Sequence, residues 1–245
     1  MDVENITPYG DVAQAGKAEQ VSRMFDNIAP AYDFMNSAMT LGVHRMWQRK
    51  ALKMLSAVEH DRILDVATGT GALAIAMADR LDPQSVTGVD LSTGMVEIGR
   101  KKVHELGLDG IVSLGIGDCL KLPFADGEFD AVTCAYGVRN FADLPAGYRE
   151  MCRVLKPGGT VLIIELSTPR GMLTAPAYRL YTRYIIPAMG RIFTRDARAY
   201  SYLPESIAAV PQGAKMTALM EEAGFREARA LPLTFGACTI YTAVK

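Results

Sequence analysis

The sequence predicts an α/β fold: a doubly wound, mostly parallel sheet that closes on an antiparallel strand. Three observations predict it. From Arg62 onward, short apolar runs alternate with segments of helix length, the pattern of strands buried by helices on both faces. The first of these runs ends in a glycine-rich turn, ILDVATGTGALAIA, that opens at once into a helix. The chain ends on two strand-like runs joined through Thr234-Phe235-Gly236, a hairpin signature that reverses the last strand.

The elements follow in order. Residues 1–15 are polar, with Gly and Pro, and are expected to be loose. Residues 17–58 read as helices, interrupted near Ala29-Pro30 and near Thr40-Leu41-Gly42. The core spans 62–168, where RILDVA, SVTGVDL, IVSLGIG, FDAVTCAYG and GTVLIIELS alternate with ALAIAMADRL, TGMVEIGRKKVHELG and LPAGYREMCRVL. Residues 169–206 are an insertion too helical and apolar for a linker, read as a lid. Residues 207–245 carry a last helix and the hairpin, which brings the strands to seven in a single domain.

Composition narrows the function. With 245 residues, 49% of them hydrophobic, the chain can bury a sizeable core. A net charge of −1 gives no attraction for nucleic acid. Cys119, Cys134, Cys152 and Cys238 form no CxxC pair, which argues against a metal site or a disulfide framework and suits a reducing cytoplasm. The N-terminus lacks a signal-peptide layout, and no apolar run approaches the roughly 18 residues of a membrane span. Any contact with a membrane is expected at its surface.

The glycine turn is where chemistry enters. Gly69 and Gly71 let the backbone approach a ligand, and the helix behind them offers its N-terminal amides. By itself the spacing also satisfies a dinucleotide fingerprint. Asp65, four residues before Gly69, would repel a pyrophosphate but suits a cationic amino acid moiety, which favours S-adenosylmethionine over NAD. Asp90, ending the second strand, is placed for ribose hydroxyls. Asp118 and Cys119, after the third, are placed to bracket an adenine. Any one acid is an ordinary loop residue; three at successive strand ends, beside the switch point of the sheet, make a nucleoside site.

On these residues the chain resembles the class I S-adenosylmethionine-dependent methyltransferases, with their Rossmann-like sheet, through LDVATGTG, GVDLS, GDCLKLPF and the hairpin RVLKPGGTVLIIE. Within them it is similar to the UbiE/MenG quinone C-methyltransferases. That likeness is carried by FDNIAPAYDFMNSAMTLGVHRMWQRK and YGVRNFADLPAGYREMCRVLKPGG, and the ending PLTFGACTIYTAVK points to the menaquinone branch. The resemblance implies methylation of a prenylated quinol, demethylmenaquinol before a benzoquinol. It places Thr70 in the cofactor turn, Asp90 at the ribose, and Asp118 with Cys119 at the adenine. Ala135 stands where several relatives carry a serine, so a hydroxyl contact there is not expected.

C-methylation of a hydroquinone needs a phenolic oxygen ionised near neutral pH, by a base or a nearby cation. Arg139 and Asn140, after the fourth strand, are the first candidates, Arg139 to orient and polarise the ring oxygen. His44 or a water is the candidate base, with Tyr32 and Tyr136 beside it. Of the segment YDFMNSAMTLGVHRMW, Met35 and Trp47 read as packing residues. The insertion sets Tyr178, Leu180, Tyr181, Tyr184 and Phe193 among Arg170, Arg179, Arg183, Arg191, Arg195 and Arg198. That mixture suits either the lipid on the inner face of the cell membrane or a homodimer interface.

Overall fold

The computed structural model describes residues 3–10, 15–169, 171, 174–185 and 197–245. The strands are β1 Arg62–Val66, β2 Ser85–Asp90, β3 Val112–Ile116, β4 Phe129–Ala135, β5 Leu155–Leu166, β6 Arg226–Leu233 and β7 Cys238–Val244. They form one sheet in the order β3-β2-β1-β4-β5-β7-β6. β7 is antiparallel to both its neighbours, β5 and β6, while the pairs from β3 through β5 are parallel. This is the sheet the alternation predicts. The LKPGG stretch, expected as a hairpin, instead bulges within one strand. There the pairing of β5 with β4 jumps from Phe129–Leu155 to Ala131–Thr160.

Strand residues alternate between two cores, as the period of two requires. Ile63, Ala131, Leu162 and Ile164 face one side, with Trp47, Leu55 and Met77. Leu64, Val132, Val161 and Ile163 face the other, with Tyr148, Met151 and Met216. The first side is covered by α3 His44–Leu55, α4 Ala72–Leu81 and α5 Thr93–Glu105, while α1 Lys17–Ile28 and α2 Tyr32–Met39 form a third cluster in which Met24 and Met35 meet Met95 of α5. The opposite side carries α6 Leu144–Val154, while α7 Thr174–Leu180 and α8 Ala197–Ala209 lie in the insertion and α9 Ala214–Glu222 precedes the hairpin. α6 starts where its sequence says it should: Asp143 accepts from the Ala146 N–H at 2.8 Å, and Pro145 sits in the first turn.

The N-terminal helices matter because they close the site. Asp26 Oδ1 accepts from Ser92 Oγ at 2.6 Å and from the Gly94 N–H at 2.9 Å, which clamps α1 onto the start of α5. Residues 3–10 also depart from the expectation of a loose segment. Val3 is buried in the core, Glu4 accepts from the Leu144 N–H at 2.9 Å, and Lys17 Nζ donates to the Val3 carbonyl at 2.6 Å. Polar composition conceals one apolar residue that docks.

Candidate active site

β1 brings Asp65 to the carboxyl edge of the sheet, and the chain turns there through Gly69 and Gly71, whose φ values are 57° and 73°. Only glycine adopts that region without strain, and at Gly71 a Cβ would also lie 2.9 Å from Leu114 Cδ1. No side chain caps α4, so its first amides stay open to a ligand. Asp90 sits opposite, its Oδ2 accepting from the Gly69 N–H at 2.8 Å and its Oδ1 from the Ser92 N–H at 2.9 Å. Burial raises its pKa, partly countered by those amides. Asp118 accepts from the Leu120 N–H at 2.9 Å, and burial pushes the neighbouring Cys119 thiol far above its usual range.

These strand ends enclose a slot of about 60 Å³ lined by Asp90, Asp118, Cys119, Val21, Phe25 and Met95. Apolar walls carrying two carboxylates fit a nucleoside. Asp65 and Thr70 are each engaged within the protein. Asp65 lines a neighbouring cavity, and its oxygens are held by the hydroxyls of Thr68 and Thr133, both at 2.6 Å. Burial raises its pKa to about 6 in spite of these donors. Thr70 donates at 2.7 Å to Asp33, whose other oxygen is paired with Lys102. A residue of α2 therefore latches the cofactor turn.

The second cavity, of about 470 Å³, shares Tyr32, Ala67, Gly69, Ala135 and Tyr136 with the slot. Tyr32 meets Phe25 edge-on at 5.9 Å and covers the glycine turn, since a Cβ at Gly69 would lie 4.0 Å from its Cε1. The far wall comes from α2 and α3, the roof from Tyr178, Tyr181 and Leu203 of the insertion. Tyr181 fixes that roof by donating to the Met39 carbonyl at 2.6 Å. Met35 is packed away from this cavity. Trp47 is buried yet lines it, donating from Nε1 to Thr234 at 2.8 Å.

Arg139 and His44 both line this larger cavity. Arg139 Nη1 donates to Glu165 at 2.8 Å and also to the Tyr136 carbonyl. Burial would lower the guanidinium pKa, but the Glu165 carboxylate reverses that and holds the charge firmly. Arg139 Nε and the Tyr136 hydroxyl are the two fully buried side-chain polar atoms without a partner among the described residues. Tyr136 is itself held at φ 59°.

His44 Nδ1 lies 2.8 Å from Thr40 Oγ1. That hydroxyl spends its one proton on the Asn36 carbonyl, 2.7 Å away, so it must accept from the ring. The arrangement assigns the neutral ring a proton on Nδ1 and a lone pair on Nε2. Burial, then the charge of Arg45, lowers the His44 pKa, so the ring is neutral near pH 7. Asn140, expected beside Arg139, is turned away from the larger cavity. It lines the nucleoside slot, and its Oδ1 accepts from the Tyr202 hydroxyl at 3.1 Å. Sequence reasoning missed Asp33, Thr40 and Glu165; only Glu165, a lone charge in the run VLIIEL, carried a visible signal.

A strand order with β7 alone reversed, meeting a nucleoside slot at the strand ends, is the architecture of the class I S-adenosylmethionine-dependent methyltransferases. A SAM-dependent methyltransferase from Aquifex aeolicus shares the fold with a TM-score of 0.60 at 22% identity, covering 80% of this chain and 88% of that one. The sequence relationships are closer. The chain belongs to the ubiE/COQ5 methyltransferase family, whose family model matches residues 13–245. It is 46% identical to the demethylmenaquinone methyltransferase of Bacteroides fragilis, over 99% of this chain and 98% of that one. It is 44% identical to the ubiquinone/menaquinone biosynthesis C-methyltransferase UbiE of Geobacter sulfurreducens, over 94% and 90%.

Proposed function

We propose that the protein methylates a ring carbon of a prenylated quinol, demethylmenaquinol giving menaquinol, at the cytoplasmic surface of the membrane that holds the prenyl tail. The observation that carries this reading is the pair of orphaned donors, Tyr136 Oη and Arg139 Nε, on residues that line a large cavity next to the nucleoside slot. Both atoms are buried in the free protein, so a ligand with ring oxygens pairs them only as the cavity wall shifts to meet it. The names of the relatives point to the same substrate class.

Asp90, Asp118 and the amides behind Gly71 would hold S-adenosylmethionine, with Asp65 for its ammonium group, and the cofactor when bound would supply an electrophilic methyl group. Arg139 orients a ring oxygen and stabilises it as the phenolate. His44 takes the phenolic proton on Nε2, directly or through a water. Tyr32 and the roof residues exclude bulk water and hold the ring beside the slot. The methylated ring carbon then gives its own proton to water, which restores aromaticity as the phenolate, and that oxygen recovers the proton held by His44.

Mass spectrometry of demethylmenaquinol and of a prenylated benzoquinol, each incubated with the protein and S-adenosylmethionine, tests this. The expected result is gain of one methyl group on demethylmenaquinol. Gain on the benzoquinol alone moves the reading to the ubiquinone branch, and gain on neither refutes it.

A further inference from the structure

Two turns at the mouth of the larger cavity expose large apolar side chains on strained backbone. Leu41, between α2 and α3, has φ 49° and is 84% exposed; Phe235, at the hairpin tip, has φ 56° and is 82% exposed. Neither side chain contributes to a core, and both occupy the left-handed region that bulky residues avoid. Each follows directly on a residue that lines the cavity, Thr40 and Thr234. The hydrogen bond from Trp47 to Thr234 ties the hairpin to α3, so the hairpin tip lies beside that helix.

The outer side of α3 is basic. Trp47, Ala51, Leu52 and Leu55 point inward, while Arg45, Arg49, Lys50 and Lys53 are exposed, and the helix contains no acidic residue. Among the described residues none of the four cations makes an ion pair. On a chain of net charge −1 this is a local segregation of positive charge. We propose that this face seats on an anionic lipid bilayer, with Leu41 and Phe235 entering the headgroup boundary and the α3 cations meeting the lipid phosphates.

The proposal rests on the reading of the substrate as a prenylated quinol, whose tail needs an apolar route from bilayer to cavity. It moves the lipid contact expected of the arginine-rich insertion onto α3 and the hairpin tip; Arg170, Arg191, Arg195 and Phe193 lie outside the described residues. Protruding tips favour lipid over a second copy of the chain, since a bilayer admits separate side chains and a protein surface would need matching pockets.

The test is sedimentation with vesicles of phosphatidylcholine alone and of phosphatidylcholine mixed with phosphatidylglycerol. The protein is expected to bind only the mixed vesicles, and less so as salt rises. Lys50→Ala with Lys53→Ala should weaken partitioning about fivefold per charge removed. Leu41→Ser with Phe235→Ser should weaken it further. All these variants should keep the wild-type melting temperature and the wild-type rate on a short-tailed, water-soluble quinol. Equal vesicle binding by variants and wild type overturns the proposal, as does a loss of dimer in sizing with vesicle binding unchanged. If the soluble quinol is not methylated by any form, the substrate reading fails, while the vesicle measurement still decides this one.

Discussion

In the nucleoside slot and beside it, the carboxylates already have donors: Asp90 holds two backbone amides, and Asp65 holds two hydroxyls. Buried in the wall of the larger cavity, the Tyr136 hydroxyl and Arg139 Nε have none. The slot is a finished surface, positioned by rigid strand ends, which a ligand joins without rearranging its polar groups. The cavity keeps buried polar atoms unsatisfied, at a cost to the free protein of about 1–3 kcal/mol for each such group. A substrate that pairs them recovers that cost on binding.

The comparison is most severely tested at the ion pair beneath the cavity. Glu165→Gln should leave the Arg139 charge buried and uncompensated, destabilising the protein by about 3–5 kcal/mol in urea unfolding. A loss near zero would mean that the cavity floor does not depend on the pair.

The slot side is tested through Asp65, whose pKa stands at about 6 against an ordinary 3.8. The folded chain holds an extra proton between those values, so this group weakens stability above about pH 6 and stops doing so as pH falls to 3.8. Cofactor affinity should run the other way, because an ammonium group needs the ionised carboxylate. Calorimetric titration should show affinity falling about tenfold per pH unit below that pKa. In Asp65→Asn the affinity should be weaker by about ten- to a hundredfold and flat with pH.

A smaller effect is expected at Thr40. Thr40→Val removes the acceptor that keeps the His44 proton on Nδ1, so nitrogen NMR of the ring should show the other tautomer gaining. Turnover should fall on the order of tenfold, with Thr40→Ser restoring both.

These regions also differ in how far they were legible. The slot is written in short, local stretches: ILDVATGTG and GVDLS each place their own residues at a strand end, and a parallel sheet brings those ends together. The cavity is assembled from helices, insertion and hairpin tip, so its contacts lie far apart in the chain. Arg139 was legible as a candidate, but its pairing with Glu165 depends on β4 and β5 lying side by side. Asn140 lines the slot and Arg139 the larger cavity because consecutive residues of the tight Val138–Asn140 turn diverge. The tautomer of His44 depends on Thr40 spending its proton on Asn36, which no sequence pattern announces.

The central claim is that the larger cavity keeps donors unpaired for a quinol. Tyr136→Phe tests it most directly, because removing the orphaned hydroxyl acts in opposite directions on the free and bound protein. The variant is expected to be more stable by about 1 kcal/mol, with a KM for demethylmenaquinol raised about tenfold and cofactor affinity unchanged. A variant that is less stable, with an unaltered KM, would contradict it.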